Sequence, residues 1–304
     1  MTPDYSFTKH RILQWMGILL ALGIIAVSYW YFGARAGTTV NKNLGDSLSQ
    51  GLAGYWKLDD GSGTSATDSS TNGNTGTLTN GPAWTTGQIG GAVSFDGSND
   101  YITVAPTAAI KPRANITLSA WVKRDASGEV DYIFWERDSA VQEEGIFFYY
   151  GSDNKLHFVF RITGTGYVDV ASTTTVTDTN WHLVTVTSDA SNLATFYIDG
   201  VVAGSGTTTT PNTGLSISSA IMGARNGGGA PDFYGDLTLD EIRFYTRTLS
   251  SDEVSQLYRL TSPTGVDTNL KGYWTFDGRD ISGTTALDRS GAGNNGTLTN
   301  SPAV

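Results

Sequence analysis

The sequence contains no cysteine. Disulfides, thiolate metal sites and cysteine nucleophiles are therefore excluded, and an exported chain of this kind must draw its stability from core size or from metal. Histidine occurs only as His10, His157 and His182. No two of them have zinc-like spacing, and no P-loop or dinucleotide fingerprint is present. His157 and His182 lie inside strand patterns beside Phe158 and Trp181 and read as structural. Positive charge is also scarce: 19 Lys and Arg stand against 29 Asp and Glu, for a net charge of −10. No basic patch exists to meet phosphate, which excludes nucleic acid as an expected partner. Gly, Thr, Ser and Asn fill the space that charge vacates. That is the composition of a turn-rich β protein that works outside the cell.

Lys9, His10 and Arg11 precede an uncharged run from Ile12 to Gly33. About 20 apolar residues are needed to cross the hydrocarbon of a bilayer as a helix, and this run suffices. Tyr29, Trp30 and Tyr31 close it, where amphipathic rings favour the interface. The basic flank predicts a single-pass anchor with the N-terminus inside and the rest of the chain outside the cell membrane. The alternative is a signal peptide cut after Ala34-Arg35-Ala36, which would release a secreted protein.

The segment Leu52-Ala-Gly54-Tyr55-Trp56-Lys-Leu-Asp59 returns as Leu270-Lys-Gly272-Tyr273-Trp274-Thr-Phe-Asp277. After a two-residue offset Asp68 matches Asp288, and Gly76–Asn80 matches Gly296–Asn300. The expected organisation is a cytoplasmic stub with the apolar segment over 1–36, a linker over 37–51, one complete module over 52–262, a linker over 263–269, and the start of a second, truncated copy over 270–304.

Within the complete module many short runs carry strand chemistry, among them Ile116–Val122, Tyr132–Trp135, Ile146–Tyr150, Leu156–Ile162, His182–Thr187 and Leu237–Tyr245. They are rich in β-branched and aromatic residues and bounded by turn formers. Asp199-Gly200 between two such runs is a hairpin signal. Ser250-Ser-Asp-Glu253 is a capping box before Val254, Leu257 and Tyr258, and predicts one short closing helix that packs. The reading is all-β, a sandwich or jelly roll.

Five motifs then occur in order: Gly54-Tyr55-Trp56-Lys-Leu-Asp59-Asp60, Phe95-Asp96-Gly97-Ser-Asn-Asp100-Tyr101, Trp181-His182-Leu-Val-Thr-Val, Phe196-Tyr197-Ile198-Asp199-Gly200, and Leu239-Asp240-Glu241-Ile242-Arg243-Phe244-Tyr245. Together they resemble the laminin-G-like, concanavalin-A-like lectin and glucanase domains of bacterial surface proteins. The resemblance implies a two-sheet antiparallel jelly roll whose first strand lies beside its last, bringing Asp59 and Asp60 near Asp240. It also implies a fold similar to that of carbohydrate binders, many of which hold Ca²⁺.

Calcium is the cofactor expected, with Asp59, Asp60, Asp68, Asn74 and Asp240 as candidate ligands. Hard oxygen donors gather in the loop after the first strand. Leu237 and Leu239 share one parity while Ile242 and Phe244 share the other, which predicts a bulge that aims Asp240 at a site. The competing account is that the Asp and Asn residues close Asx-turns. For a sugar ligand the candidates are Trp135, Tyr149, Tyr167, Arg225, Asn226 and Tyr234, on or near loop ends. Trp56, Trp121 and Trp181 read as core. Glycoside hydrolysis would need two carboxylates sharing a face. Glu129-Val-Asp131-Tyr-Ile-Phe-Trp-Glu136 comes closest, yet Glu136 falls on the opposite face from Glu129 unless a bulge intervenes. No catalytic residue is assigned. The expected function is a non-enzymatic surface module that binds glycan or another surface ligand. A structural spacer repeat is the alternative, and a hydrolase the weaker one.

Overall fold

The structure is a computed structural model and describes residues 44–105, 110, 115–138, 145–162, 166–208, 217–225, 231–261, 272, 274, 281–282, 284–286 and 294–299. The apolar run 12–33, the cleavage site at Ala36 and the residues Asn226, Asp277 and Asp288 lie outside the described residues. Among the described residues no helix is long and apolar enough to cross a membrane. The chain divides into two compact units, Met1–Asp46 and Ser47–Val304.

Helix α1 (Leu44–Ser49) comes first. The strands follow as β1 (Leu52–Trp56), β2 (Ser65–Ala66), β3 (Gly76–Thr79), β4 (Ala83–Thr86), β5 (Gly91–Asp96), β6 (Tyr101–Val104), β7 (Ile116–Arg124), β8 (Asp131–Asp138) and β9 (Gly145–Tyr150). They continue as β10 (Lys155–Ile162), β11 (Gly166–Thr175), β12 (His182–Ser188), β13 (Leu193–Ile198), β14 (Val201–Thr207), β15 (Ile217–Met222), β16 (Ala224–Arg225), β17 (Asp232–Tyr234) and β18 (Asp236–Tyr245). Helix α2 (Ser251–Thr261) closes the module. The first sheet runs β14-β13-β12-β7-β18-β5-β4, with β1 also paired to β18; the second runs β11-β10-β9-β8-β15-β6-β3-β2. Every pairing in both sheets is antiparallel. The first strand does lie beside the last.

Period-two alternation builds the core. Across the second sheet Val170, Phe158, Phe148, Phe134, Met222, Ile102 and Leu78 stand opposite one another strand by strand. All seven face the interior, where they meet Phe244, Leu118, Val186 and Phe196 from the first sheet. The outer face of the first sheet is covered by α2: Leu257 and Tyr258 pack on Trp121 and Leu183. The capping box forms as read, with Ser250 N donating to Glu253 Oε2 at 2.9 Å and Glu253 N donating to Ser250 Oγ at 3.2 Å. The Asp199-Gly200 turn also forms, with φ of 53° and 77° at its two residues.

Bonds made by the first copy of the repeated segment recur in the second. Trp56 Nε1 donates to the Asn74 carbonyl at 2.7 Å, and Trp274 Nε1 to the Asn294 carbonyl at 2.9 Å. Ser65 and Ala66 pair with Thr77 and Gly76; Thr285 and Ala286 pair with Thr297 and Gly296. The environments differ: Trp56 is fully buried, whereas Trp274 is 38% exposed.

Candidate functional site

The outer face of the second sheet carries a second apolar cluster, separate from the interior. Its register places Val159, Phe147, Trp135 and Ile221 side by side across four strands. Phe147 and Trp135 stack with ring centroids 3.6 Å apart. The next row is His157, Tyr149 and Tyr132. Tyr149 stacks on His157 at 5.0 Å and on Tyr132 at 5.0 Å. Polar groups pin this aromatic row at one end. Tyr149 Oη donates to Asp169 Oδ2 at 2.7 Å. His157 meets Asp169 through Nδ1 and Asp153 through Nε2, each at 3.0 Å. Burial opposes a charge on His157, but the two aspartates outweigh it and raise its pKa.

At the other end the hairpin β16–β17 packs against β8. Arg225 donates from Nε and Nη2 to the two oxygens of Asp232, at 2.9 and 2.7 Å, and also hydrogen-bonds Tyr132. Its guanidinium lies 4.0 Å from the ring centre of Phe233. Phe233 is 56% exposed and sits at φ 49°, a left-handed conformation that a bulky residue adopts at a cost of about 1–3 kcal/mol. Tyr234, the next residue in the chain, pairs with Tyr101 at 6.4 Å. The face therefore offers an exposed aromatic ring, held out against strain, next to tyrosine rings and fixed polar groups. That combination suits a ligand with one apolar and one hydroxylated side.

A second candidate lies where β18 meets the 87–91 loop. Register slips in β18 between Asp240 and Arg243, so the bulge expected from the parity change is present. Asp240 is fully buried. Its Oδ2 accepts from Ile89 N at 2.8 Å, while its Oδ1 has no hydrogen-bond partner. Burial, then the neighbouring Glu241 charge, pushes its carboxyl well above the usual range; the Asp59 charge adds to this. Asp59 accepts from Gly91 N in the same loop. A β-carbon at Gly90, whose φ is 62°, would overlap the Asp59 carboxylate, so only glycine fits there. Among the described residues no three Asp, Glu or His side chains converge as a metal cluster. A cation at this point would rest on the Asp59 and Asp240 carboxylates, which the loop meets through the Gly91 and Ile89 N–H groups.

A family model described as the concanavalin A-like lectin/glucanases superfamily (Laminin_G_3) matches residues 96–255, more than half of the chain. The chain belongs to the concanavalin A-like lectin/glucanase superfamily. No curated protein sequence matches it. Solved structures share the fold at low identity. The binding domain of a Paraclostridial mosquitocidal protein superposes with a TM-score of 0.59 at 16% identity, covering 75% of this chain and 55% of that one. Domain 4 of AbnA, a GH43 extracellular arabinanase from Geobacillus stearothermophilus, was solved with arabinotriose; it superposes at 0.54 with 22% identity, covering 68% of this chain and 98% of that domain. The botulinum neurotoxin DC binding domain in complex with SialylT gives 0.55 at 12% identity, covering 75% and 54%. The chain thus spans about half the length of the toxin binding domains and nearly all of the arabinanase domain.

Within this superfamily member the candidate residues separate. Tyr149, Arg225 and Tyr234 share the outer face of the second sheet with Trp135. Trp135 is a correction: it is 4% exposed beneath Phe147 and forms the floor, so its ring offers no open face. Tyr167 is exposed on β11, two positions from Asp169. Phe233 and the Asp153–His157–Asp169 clamp complete the face. Of the proposed calcium ligands, Asp59 and Asp240 come together. Asp60 turns away, accepting from Thr67 N at 3.1 Å. Asp68 accepts from Tyr55 N, Ser70 N and Asn74 N at 3.0, 2.8 and 2.8 Å, and from Ser70 Oγ at 2.9 Å. Asn74 is buried and donates to the Ala53 carbonyl at 2.8 Å. These two residues tie the 67–74 loop to β1, the Asx-turn alternative.

The carboxylates considered for hydrolysis take an unexpected course. Register slips in β8 between Tyr132 and Phe134, so a bulge does intervene. It turns Asp131 and Glu136 to the interior side. Asp131 is buried against Arg124, which donates from Nε to its Oδ2 at 2.7 Å. Glu136 is fully buried with both oxygens unpartnered. Glu129 stays outside in the preceding loop, and its carbonyl accepts from Arg124. A sugar on the protein surface would not meet Asp131 or Glu136.

Proposed function

We propose that this module binds glycan through the outer face of its second sheet, and that Ca²⁺ between Asp59, Asp240 and the 87–91 loop braces the first sheet. The observation carrying the first part is Phe233: an apolar ring kept exposed in a strained conformation, stacked by the guanidinium of the Arg225–Asp232 fork and followed in the chain by Tyr234, which pairs with Tyr101. Stacking of a sugar face on such a ring, with Tyr149, His157 and Asp169 hydrogen-bonding hydroxyls, is the recognition it supports. The arabinanase domain solved with arabinotriose and the toxin domain solved with SialylT, both of this fold, agree with that class of ligand. The full chain, screened on a glycan array with and without Ca²⁺, should bind a defined set of sugars. Phe233→Ala should weaken binding at least tenfold without changing the melting temperature by more than a few degrees. No binding to any sugar would favour the spacer reading instead, which the recurring Trp–Asn bond of the second copy supports.

The cation reading rests on Asp240 Oδ1, a fully buried carboxylate oxygen without a partner. A bound Ca²⁺ would neutralise the converging charges of Asp59 and Asp240 and lock the loop. Ca²⁺ should then raise the melting temperature, EDTA should lower it, and Asp240→Asn should abolish the difference. Equal melting in both would remove calcium from the account. Attachment to the cell membrane through Ile12–Gly33, or secretion after cleavage at Ala36, completes the reading; membrane fractionation of the expressed full chain distinguishes them.

A further inference from the structure

The bulge that presents Asp240 is itself held by a polar assembly that neither sugar nor cation would touch. Leu239 and Ile242 both face the interior with two residues, Asp240 and Glu241, between them where plain alternation has one, so the bulge adds one residue here. Glu241 adopts φ 55°, a left-handed conformation that costs a non-glycine residue energy unless its surroundings impose it. The surroundings do so. Tyr55 Oη donates to the Glu241 carboxylate, lying 2.9 and 2.7 Å from its two oxygens. Arg243 Nη2 donates to the same carboxylate and, at 2.7 Å, to Tyr55 Oη. The guanidinium also lies 4.1 Å from the Tyr55 ring centre. Glu241 is 3% and Arg243 8% exposed, so the pair is nearly removed from water. Burial raises the pKa of the Tyr55 hydroxyl, which stays a neutral donor.

A strand needs no such assembly to pair. The register runs unbroken through Asp240 and slips directly after it, so the assembly fixes the chain immediately beside Asp240 while the interior alternation resumes at Ile242. We infer that Tyr55, Glu241 and Arg243 are positioning residues for the Asp240 site: they hold the bulge in the conformation that sets Asp240 for a divalent cation. This rests on the calcium reading above. Tyr55 belongs to the motif that recurs in the second copy as Tyr273, whereas Glu241 and Arg243 lie 186 and 188 residues from Tyr55, so the clamp ties the two ends of the module together.

The test is calorimetric titration of the full chain with Ca²⁺ alone, for the wild type, Tyr55→Phe and, as a stability control that leaves the clamp's hydrogen bonds intact, Thr185→Val. The control removes a buried Ser119–Thr185 hydroxyl pair in the same sheet, level with Arg243 but outside the hydrogen bonds of the clamp. Tyr55→Phe deletes one hydroxyl and keeps the ring; residues that orient metal ligands typically contribute 10- to 100-fold in affinity. The expected result is a Ca²⁺ dissociation constant weakened about tenfold or more in Tyr55→Phe and unchanged in Thr185→Val. Both variants should lose some thermal stability in EDTA. Unchanged affinity in Tyr55→Phe, with stability lost equally in EDTA and in Ca²⁺, would make the clamp structural only and overturn the inference. If the wild type binds no Ca²⁺, the cation reading itself fails and the inference falls with it. Should Tyr55→Phe not fold, Arg243→Lys takes its place, judged by the same comparison.

Discussion

Glu136 is the residue whose substitution tests the core most sharply. Its carboxyl lies on the interior face of β8, opposite Ile146 on one neighbouring strand and Ala220 on the other, with neither oxygen bonded. Burial drives its pKa well above the usual carboxylate value, so it folds in the protonated form. The sign follows from linkage. The folded pKa exceeds the unfolded one, so the chain takes up a proton on folding. The carboxyl's penalty is least below about pH 4.5 and grows as pH rises toward the folded pKa, by about 1.4 kcal/mol per pH unit. Glu136→Gln removes the titration while keeping the shape. The stability of the wild type minus that of Glu136→Gln should therefore fall by about 1.4 kcal/mol between pH 5 and pH 6. Glu136→Met removes the unsatisfied polar atoms as well, which cost about 1–3 kcal/mol when buried. For a domain of this size that corresponds to a melting temperature raised by roughly 3–9 °C at neutral pH. Urea melts of the three proteins from pH 5 to 8 supply the measurement. A pH-independent difference between wild type and Glu136→Gln, or a Glu136→Met protein less stable than wild type, would refute the account of an unpaired neutral acid.

Two further perturbations follow from the same structure. Burial opposes the charge on Glu253, but the Arg247 fork, the Ser250 cap and Ser47 more than offset it and bring its carboxyl down to about 2. Its contribution is complete above about pH 4.5 and lost as pH falls toward 2. Glu253→Ala should cost about 2 kcal/mol at pH 7, and thermal melts should show that cost shrinking below pH 4. His182 is held by Asp199 at 2.8 Å and by Asp178 at 3.1 Å, and the Asp199 bond in particular raises its pKa despite burial. Its stabilisation is full below about pH 6.5 and disappears as pH rises through the folded pKa. His182→Gln should therefore be destabilised relative to wild type at pH 6 and much less so at pH 9; a difference constant across that range, in denaturant melts, would contradict the ion-pair assignment.

Much of the fold was legible because it depends on local rules. The strands around Leu118, Val184 and Phe196 alternate cleanly, Asp199-Gly200 takes the positive φ its turn requires, and Ser250 with Glu253 closes a reciprocal cap. The candidate sites were legible only in part. Asp59 and Asp240 could be placed together because first and last strands pair. Their separation from Asp60 and Asp68 could not, since every one of these aspartates is a short acceptor beside turn residues, and only the donors that reach it decide its role. Likewise Trp135 and Phe233 are both aromatics near loop ends. Whether a ring is floor or platform depends on Phe147, which stacks over Trp135, and on Arg225, which props up Phe233.

The two bulges show where sequence pattern stops carrying information. In β18 the bulged pair Asp240-Glu241 is flanked by Leu237 and Leu239 on one side and Ile242 and Phe244 on the other. Four interior residues bracket two acids, so the change of parity is visible in the order of residues alone. In β8 the corresponding stretch is Tyr132-Ile133-Phe134-Trp135. Every residue there is apolar or aromatic, because the outer face of this strand is itself covered. With no polar residue to mark the solvent side, the slip between Tyr132 and Phe134 leaves no trace in the pattern. The consequence is chemical as well as topological. Plain alternation places Glu136 opposite in parity to Asp131, whereas the bulge brings both to one face, as a pair of hydrolytic carboxylates would require. That shared face is the interior, and there Asp131 is neutralised by Arg124 and Glu136 by its own proton. A strand covered on both sides can thus satisfy the spacing rule for catalysis while burying its acids beyond the reach of a surface sugar.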